Sequence, residues 1–166
     1  FIELLPHTVT SKKKIGEGDP LNLVIVGDFE ELVAVFTRSG WDETHRVYLG
    51  AVWKSAKSLV FGGKYRYQPV SNLYVFGRPQ DMAIQKARET IHERNHARFW
   101  VTKKKYKGKY VWIGQISRYI GVKWTLKTGI LMTHKIDPYV DSDRWFLIQD
   151  LIKSQRIIMM GYVEGV

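Results

Sequence analysis

The sequence holds no cysteine. Disulfides, zinc–thiolate sites and cysteine nucleophiles are therefore excluded together. The absence does not fix a compartment: a reducing cytosol and an extracytoplasmic domain without disulfides both accommodate it. No apolar run approaches the ~20 residues that cross a bilayer, and no signal peptide is visible. The chain opens on Phe1 rather than Met, which leaves room for a missing upstream membrane anchor. Internal repeats and low-complexity tracts are also lacking. So are a phosphate-loop or dinucleotide glycine pattern and the signatures of RNA-recognition motifs, Gly-x-x-Gly clamps and zinc fingers.

What is there is a chain of 166 residues, 45% hydrophobic and 13% aromatic, enough for one domain with a real core. Its 26 Lys and Arg against 16 Asp and Glu give a formal charge of +10. That balance favours anionic partners: nucleic acid, anionic lipid or a phosphorylated substrate.

Residues 1–20, with Lys12–Lys14 before a Gly-Glu-Gly turn and Asp19-Pro20, read as an arm or loop. Residues 21–166 read as a single domain. Leu21–Gly27 is a strand, and Asp28 with Glu31 forms a capping-box pattern ahead of Phe29, Leu32, Val33 and Phe36 at helical spacing. Gly40 stops that helix. The spacing predicts a second helix over roughly 47–60, ended by Gly62-Gly63, and a third from Asp141 to about Gln155 with Trp145, Ile148 and Ile152 on one face. Leu73–Phe76, Arg94–Lys103, Tyr110–Tyr119 and Leu131–Ile136 are strand candidates, and Lys104–Lys109 is a hairpin turn. Residues 82–93 fit no one pattern, and the apolar tail Ile157–Gly161 suggests an edge strand. The fold class is α+β: a central, mainly antiparallel sheet with three flanking helices.

Strand alternation sorts the polar residues. Ala97, Phe99 and Val101 form a core face, which leaves His96 and Arg98 on the other, with Trp100. Gln115, Ser117 and Tyr119 share a face on the next strand, and His134 lies on a third. If these strands are neighbours, His96, Arg98, Gln115, Ser117 and His134 can converge. His92-Glu93-x-x-His96 formally matches H-E-x-x-H. Zincins need that motif inside a helix, and the extended aromatic run after Asn95 argues against one here.

A resemblance adds to this reading. Phe76-Gly77-Arg78-Pro79-Gln80-Asp81 with Gln85-Lys86 behind it, Arg94 and His96-Ala97-Arg98-Phe99-Trp100, Val111–Gly114, Thr133–Asp137, and Asp141 with Asp143-Arg144 occur in a specific order. In that order they resemble the C-terminal domain of LssY-like proteins, a bacterial family of unassigned biochemical role. The likeness runs over roughly 20–155. Relatives often accompany a lipid-phosphatase-type membrane domain or transmembrane segments. The resemblance therefore implies a bacterial, membrane-associated protein, with a membrane-protein partner or a missing anchor. Tyr119 stands near where the resemblance implies an aspartate in many relatives; if that aspartate is a ligand or base, this protein either lacks the activity or uses Asp137 instead.

Candidate roles follow. His96, His134, Asp81 and Asp137 are the candidate catalytic groups, as imidazole and carboxylate acids and bases. His96, His134 and Asp137 would form the metal set if a divalent metal is bound, although His134 and Asp137 point to opposite sides of a regular strand. Arg78, Arg98 and Gln80 are the candidate ligand-binding groups for a phosphate or carboxylate. The expected function is recognition of an anionic small molecule or a membrane-associated phosphorylated group, on a phospholipid surface or free of it. A metal-dependent or acid–base hydrolase of an anionic substrate is the alternative. Nucleic-acid binding through the hairpin lysines 103, 104, 105, 107 and 109, interleaved with Tyr106 and Tyr110, is the third.

Overall fold

Alternating apolar and polar residues over 94–119 become one long antiparallel hairpin, and the rest of the fold is laid against its two faces. The structure is a computed structural model and describes residues 5–10, 18–44, 72–88, 93–124, 132–136 and 138–162. In chain order the elements are β1 (Leu23–Val26), α1 (Phe29–Arg38), β2 (Asp42–Glu43), β3 (Tyr74–Val75), β4 (Arg78–Pro79), β5 (Met82–Ala87), β6 (Arg94–Tyr106), β7 (Lys109–Trp124), β8 (Met132–Ile136) and α2 (Val140–Lys153).

The main sheet has six strands in the order β1-β7-β6-β5-β2, and β8 also pairs with β7. Every pairing is antiparallel. β3 and β4 form a separate two-stranded hairpin. Both tight hairpins turn on two residues with positive φ: Lys107 at 49° with Gly108 at 83°, and Phe76 at 54° with Gly77 at 74°. This is the geometry that matches the right-handed twist of the flanking strands.

One sheet face carries the larger apolar cluster. Ala97, Phe99, Ile116, Met82 and Ile84 meet Leu32 and Phe36 of α1 and Leu147 and Leu151 of α2. Phe36 stacks on Phe99 with ring centroids 5.2 Å apart. The sequence places α1 here by spacing, and ends it with the Trp41 amide on the Phe36 carbonyl and the Gly40 amide on the Thr37 carbonyl, both at 3.0 Å. Gly40 supplies the left-handed φ of 77° that this C-terminal motif requires. On the opposite face Leu5, Val9, Val75, Trp100 and Ile113 form a second cluster. Residues 5–10 are tied down: the Val9 amide bonds the Asp19 carbonyl at 3.0 Å and the Thr10 amide bonds Tyr74 at 2.8 Å.

Several expectations need correction. The described residues contain two helices rather than three; the helix expected over 47–60 lies outside them. Residues 82–87, ambiguous by pattern, are β5, because a strand buried on both faces shows no alternation. The tail at 157–161 forms no strand and is exposed, with Met159 75% accessible. The last helix buries Asp143, Leu147, Asp150 and Leu151, not the Trp145–Ile148–Ile152 stripe; Trp145 and Ile152 are exposed. Two acids on the inner face misled the apolar count. Membrane association, expected from the family's company, is also corrected: among the described residues no helix is long and apolar enough to cross a membrane.

Candidate functional site

The face of β6 that carries His96, Arg98 and Trp100 is as buried as the core face. His96 and Arg98 are each 1% accessible, and Gln115 and Ser117 are fully enclosed. Register explains the grouping. His96 lies between Gln85 on β5 and Ser117 on β7, and Arg98 lies between Ala83 and Gln115. Alternation then sends all five of these polar side chains to one side.

Within this layer Arg98 Nη1 donates to Gln115 Oε1 at 3.1 Å, and Nη2 donates to the Tyr119 hydroxyl at 3.1 Å. Both partners are uncharged. Gln115 passes the contact on, its Nε2 donating to Asp19 Oδ2 at 3.2 Å. Burial raises the Asp19 carboxyl above its ordinary value, and the Arg98 charge only partly opposes this. No carboxylate lies within ion-pair distance of Arg98 among the described residues. Arg98 Nε and Ser117 Oγ are buried and lack hydrogen-bond partners among the described residues. The His96 ring packs on Tyr119 with centroids 4.4 Å apart. At the far end of the layer, burial lowers the Arg94 guanidinium from its usual value, and the Asp42 charge partly restores it.

Such an arrangement can hold an anion. A guanidinium removed from water needs a counter-charge or a full set of acceptors. Here two of its five N–H groups go to neutral acceptors and Nε has no partner among the described residues, beside an unused hydroxyl. A phosphate or carboxylate oxygen would supply what is missing, in a charge-assisted and bidentate mode.

Other candidate residues lie elsewhere. Arg78 pairs with Asp81 and donates through Nη2 to the Val101 carbonyl at 2.5 Å, while Asp81 Oδ2 accepts the Val101 amide at 2.7 Å. Gln80 Oε1 accepts the Leu73 amide at 3.1 Å, and its Nε2 donates to Asn72 at 3.2 Å. Arg78 and Asp81 thus tie the β3–β4 hairpin to the Val101 backbone of β6, and Gln80 ties it to the residues that lead into β3. Asp81 precedes Gln85, the residue beside His96, by four positions, a distance of roughly 13 Å along a strand. His134 sits opposite Val122 on the far edge of β7, five residues beyond Ser117. For regular strands that puts the His96 and His134 backbones on the order of 19 Å apart. Asp137 and His92 lie outside the described residues. Residues 94–96, the end of the H-E-x-x-H match, are strand and not helix. Among the described residues no three of His, Asp and Glu converge as metal ligands.

The reading of residues missed Asp19, hidden in what looked like an arm, and Asp143. Asp143 is fully buried against Arg88 at 3.4 Å, Arg118 at 3.7 Å and Asn95 Nδ2 at 3.4 Å. Its spacing from Leu147, Asp150 and Leu151 at i, i+4, i+7 and i+8 is the signal that could have found it.

This is an α+β sheet domain with an enclosed arginine on its second face. Residues 3–166, nearly the whole chain, match the family described as the LssY C-terminus, and the chain belongs to that family. Comparisons with curated proteins and with solved structures gave no significant match.

Proposed function

We propose that this domain recognises a small phosphate- or carboxylate-bearing ligand at Arg98. The observation that carries the reading is the state of the Arg98 guanidinium: 1% accessible, bonded to Gln115 and Tyr119, and carrying a buried Nε without a partner among the described residues. Ser117 adds a donor, and Gln115 holds Arg98 and Asp19 in one network, so the charge is aimed before ligand arrives. Enclosure strengthens the interaction, because a low-dielectric site screens charge poorly.

The test is a thermal-shift titration with inorganic phosphate, pyrophosphate, acetate and citrate. A ligand that binds only the folded state raises Tm in proportion to the logarithm of its concentration once above Kd. The expected result is a rise that follows the logarithm of concentration for at least one of these anions, lost in Arg98→Met. Identical curves for both proteins would reject the site.

The acid–base hydrolase reading has one observation in its favour: His96 and Ser117 face each other in register, a serine beside a base. Turnover of p-nitrophenyl phosphate that disappears in both Ser117→Ala and His96→Gln would favour it. Binding without turnover would leave recognition alone.

A further inference from the structure

From Arg94 to Ile136 the sequence holds no aspartate or glutamate, and the β6–β7 hairpin lies inside that stretch. Its tip stands clear of the sheet. Pairing with β5 ends at Phe99 and pairing with β1 ends at Val111, while β6 and β7 continue together to the turn at Lys107-Gly108. Lys109 is already neutralised, its Nζ lying 2.5 Å from Asp28 and 2.8 Å from Glu31, and these bonds raise its pKa further. Lys103, Lys105 and Lys107 have no carboxylate at ion-pair distance among the described residues.

Two aromatic rings are interleaved with these ammonium groups. Lys105 Nζ lies 4.4 Å from the Tyr110 ring centroid, and Lys107 Nζ lies 5.5 Å from that of Tyr106. Tyr106 is 46% accessible and Tyr110 41%. The register pairs Lys105 with Tyr110 and Tyr106 with Lys109, so Tyr110 shares a face of the finger with Lys105 and Tyr106 lies on the opposite face, one ring on each side of the tip.

We propose that this hairpin tip is a docking surface for single-stranded nucleic acid. Lys103, Lys105 and Lys107 would take backbone phosphates, and the exposed faces of Tyr106 and Tyr110 would stack on bases. The rings decide between partners. An acidic polypeptide or a polyphosphate satisfies the lysines but offers the tyrosines no flat surface. A duplex keeps its bases stacked inside. Asp28 and Glu30 border the cleft between Phe29, Lys103 and Tyr110 and repel phosphate there, so the strand should wrap over the tip from the Tyr110 face to the Tyr106 face and not enter the cleft. This surface is independent of the Arg98 site.

Fluorescence anisotropy tests it with labelled twelve-nucleotide oligothymidylate and oligouridylate, a duplex of equal length, and inorganic polyphosphate as competitor. Three phosphate contacts on a single strand predict a slope of log affinity against log salt of about −2. The triple change Lys103→Gln, Lys105→Gln, Lys107→Gln should flatten that slope. The double change Tyr106→Ala, Tyr110→Ala should weaken binding about tenfold or more while leaving the slope in place. Tyr106→Phe with Tyr110→Phe should retain binding, and it reports on stacking in a protein with the tip's shape preserved. No binding at low salt would overturn the proposal. So would duplex or polyphosphate binding as tight as the single strands, or a Tyr106→Ala, Tyr110→Ala protein that binds like the parent.

Discussion

Arg98 and Asp19 are coupled through a neutral amide rather than joined as an ion pair. Gln115 accepts from Arg98 at 3.1 Å and donates to Asp19 at 3.2 Å, so an enclosed guanidinium and a partly buried carboxyl stand one side chain apart. A direct pair would have offset the desolvation of both charges. Keeping them separated leaves the guanidinium available to another anion, and leaves the Asp19 carboxyl raised by burial.

That arrangement sets a pH dependence. The folded state holds the Asp19 proton more tightly than the unfolded chain does. The stability contributed by neutral Asp19 is present below the ordinary aspartate range and is lost as pH rises through the raised folded value. Asp19→Asn cannot ionise and keeps an oxygen to accept from Gln115. It should therefore be more stable than the parent at neutral pH, with the gap closing as the medium falls toward about pH 3. Denaturation midpoints across that range check this. A gap of the opposite sign, or one that does not change with pH, would contradict it.

Asp150 anchors α2 to the sheet. Its Oδ2 accepts from Trp41 Nε1 at 3.1 Å and from Lys86 Nζ at 2.6 Å, and the residue is buried. Asp150→Ala strands an indole N–H and a half-buried ammonium, and should cost on the order of 3 kcal/mol. Urea denaturation measures this. A loss below about 1 kcal/mol would show that the contacts relax into water.

Gly114 is required by its neighbour. A Cβ there would meet Phe99 Cδ1 and Cε1 at 2.6 Å, and Phe99 has no exposed surface into which to retreat. Gly114→Ala is expected to destabilise by about 1–3 kcal/mol through overpacking. Calorimetric unfolding of the two proteins compares them, and an unchanged Tm would mean that the Phe99 ring has room to shift.

Legibility differed by element. The β6 faces were readable because Ala97-x-Phe99-x-Val101 alternates cleanly against His96-x-Arg98-x-Trp100, and α1 because Asp28, Glu31 and Gly40 mark its ends. The grouping of His96, Arg98, Gln115 and Ser117 followed from the same alternation once the hairpin turn was placed. Register is what the pattern lacked. It is set by which residues pair across β7, and this puts His134 on the far edge, away from His96. Arg78, Gln80 and Asp81 looked like an anion loop because their chemistry suits one. Their hydrogen bonds instead close a hairpin onto β6, and only tertiary contact reveals that. Asp143 and Asp150 were hidden for a related reason: charged residues count as surface until a partner such as Arg88 or Lys86 is brought to them.

The central claim is tested most directly by one paired measurement on Arg98→Met: unfolding free energy without ligand, and phosphate binding by isothermal titration calorimetry. A guanidinium kept for a ligand should be nearly dispensable for folding, so the variant should lie within about 1 kcal/mol of the parent, or above it, while binding disappears. A loss of about 3–5 kcal/mol, with anion binding either retained or absent from the parent as well, would make Arg98 a structural group and contradict the account.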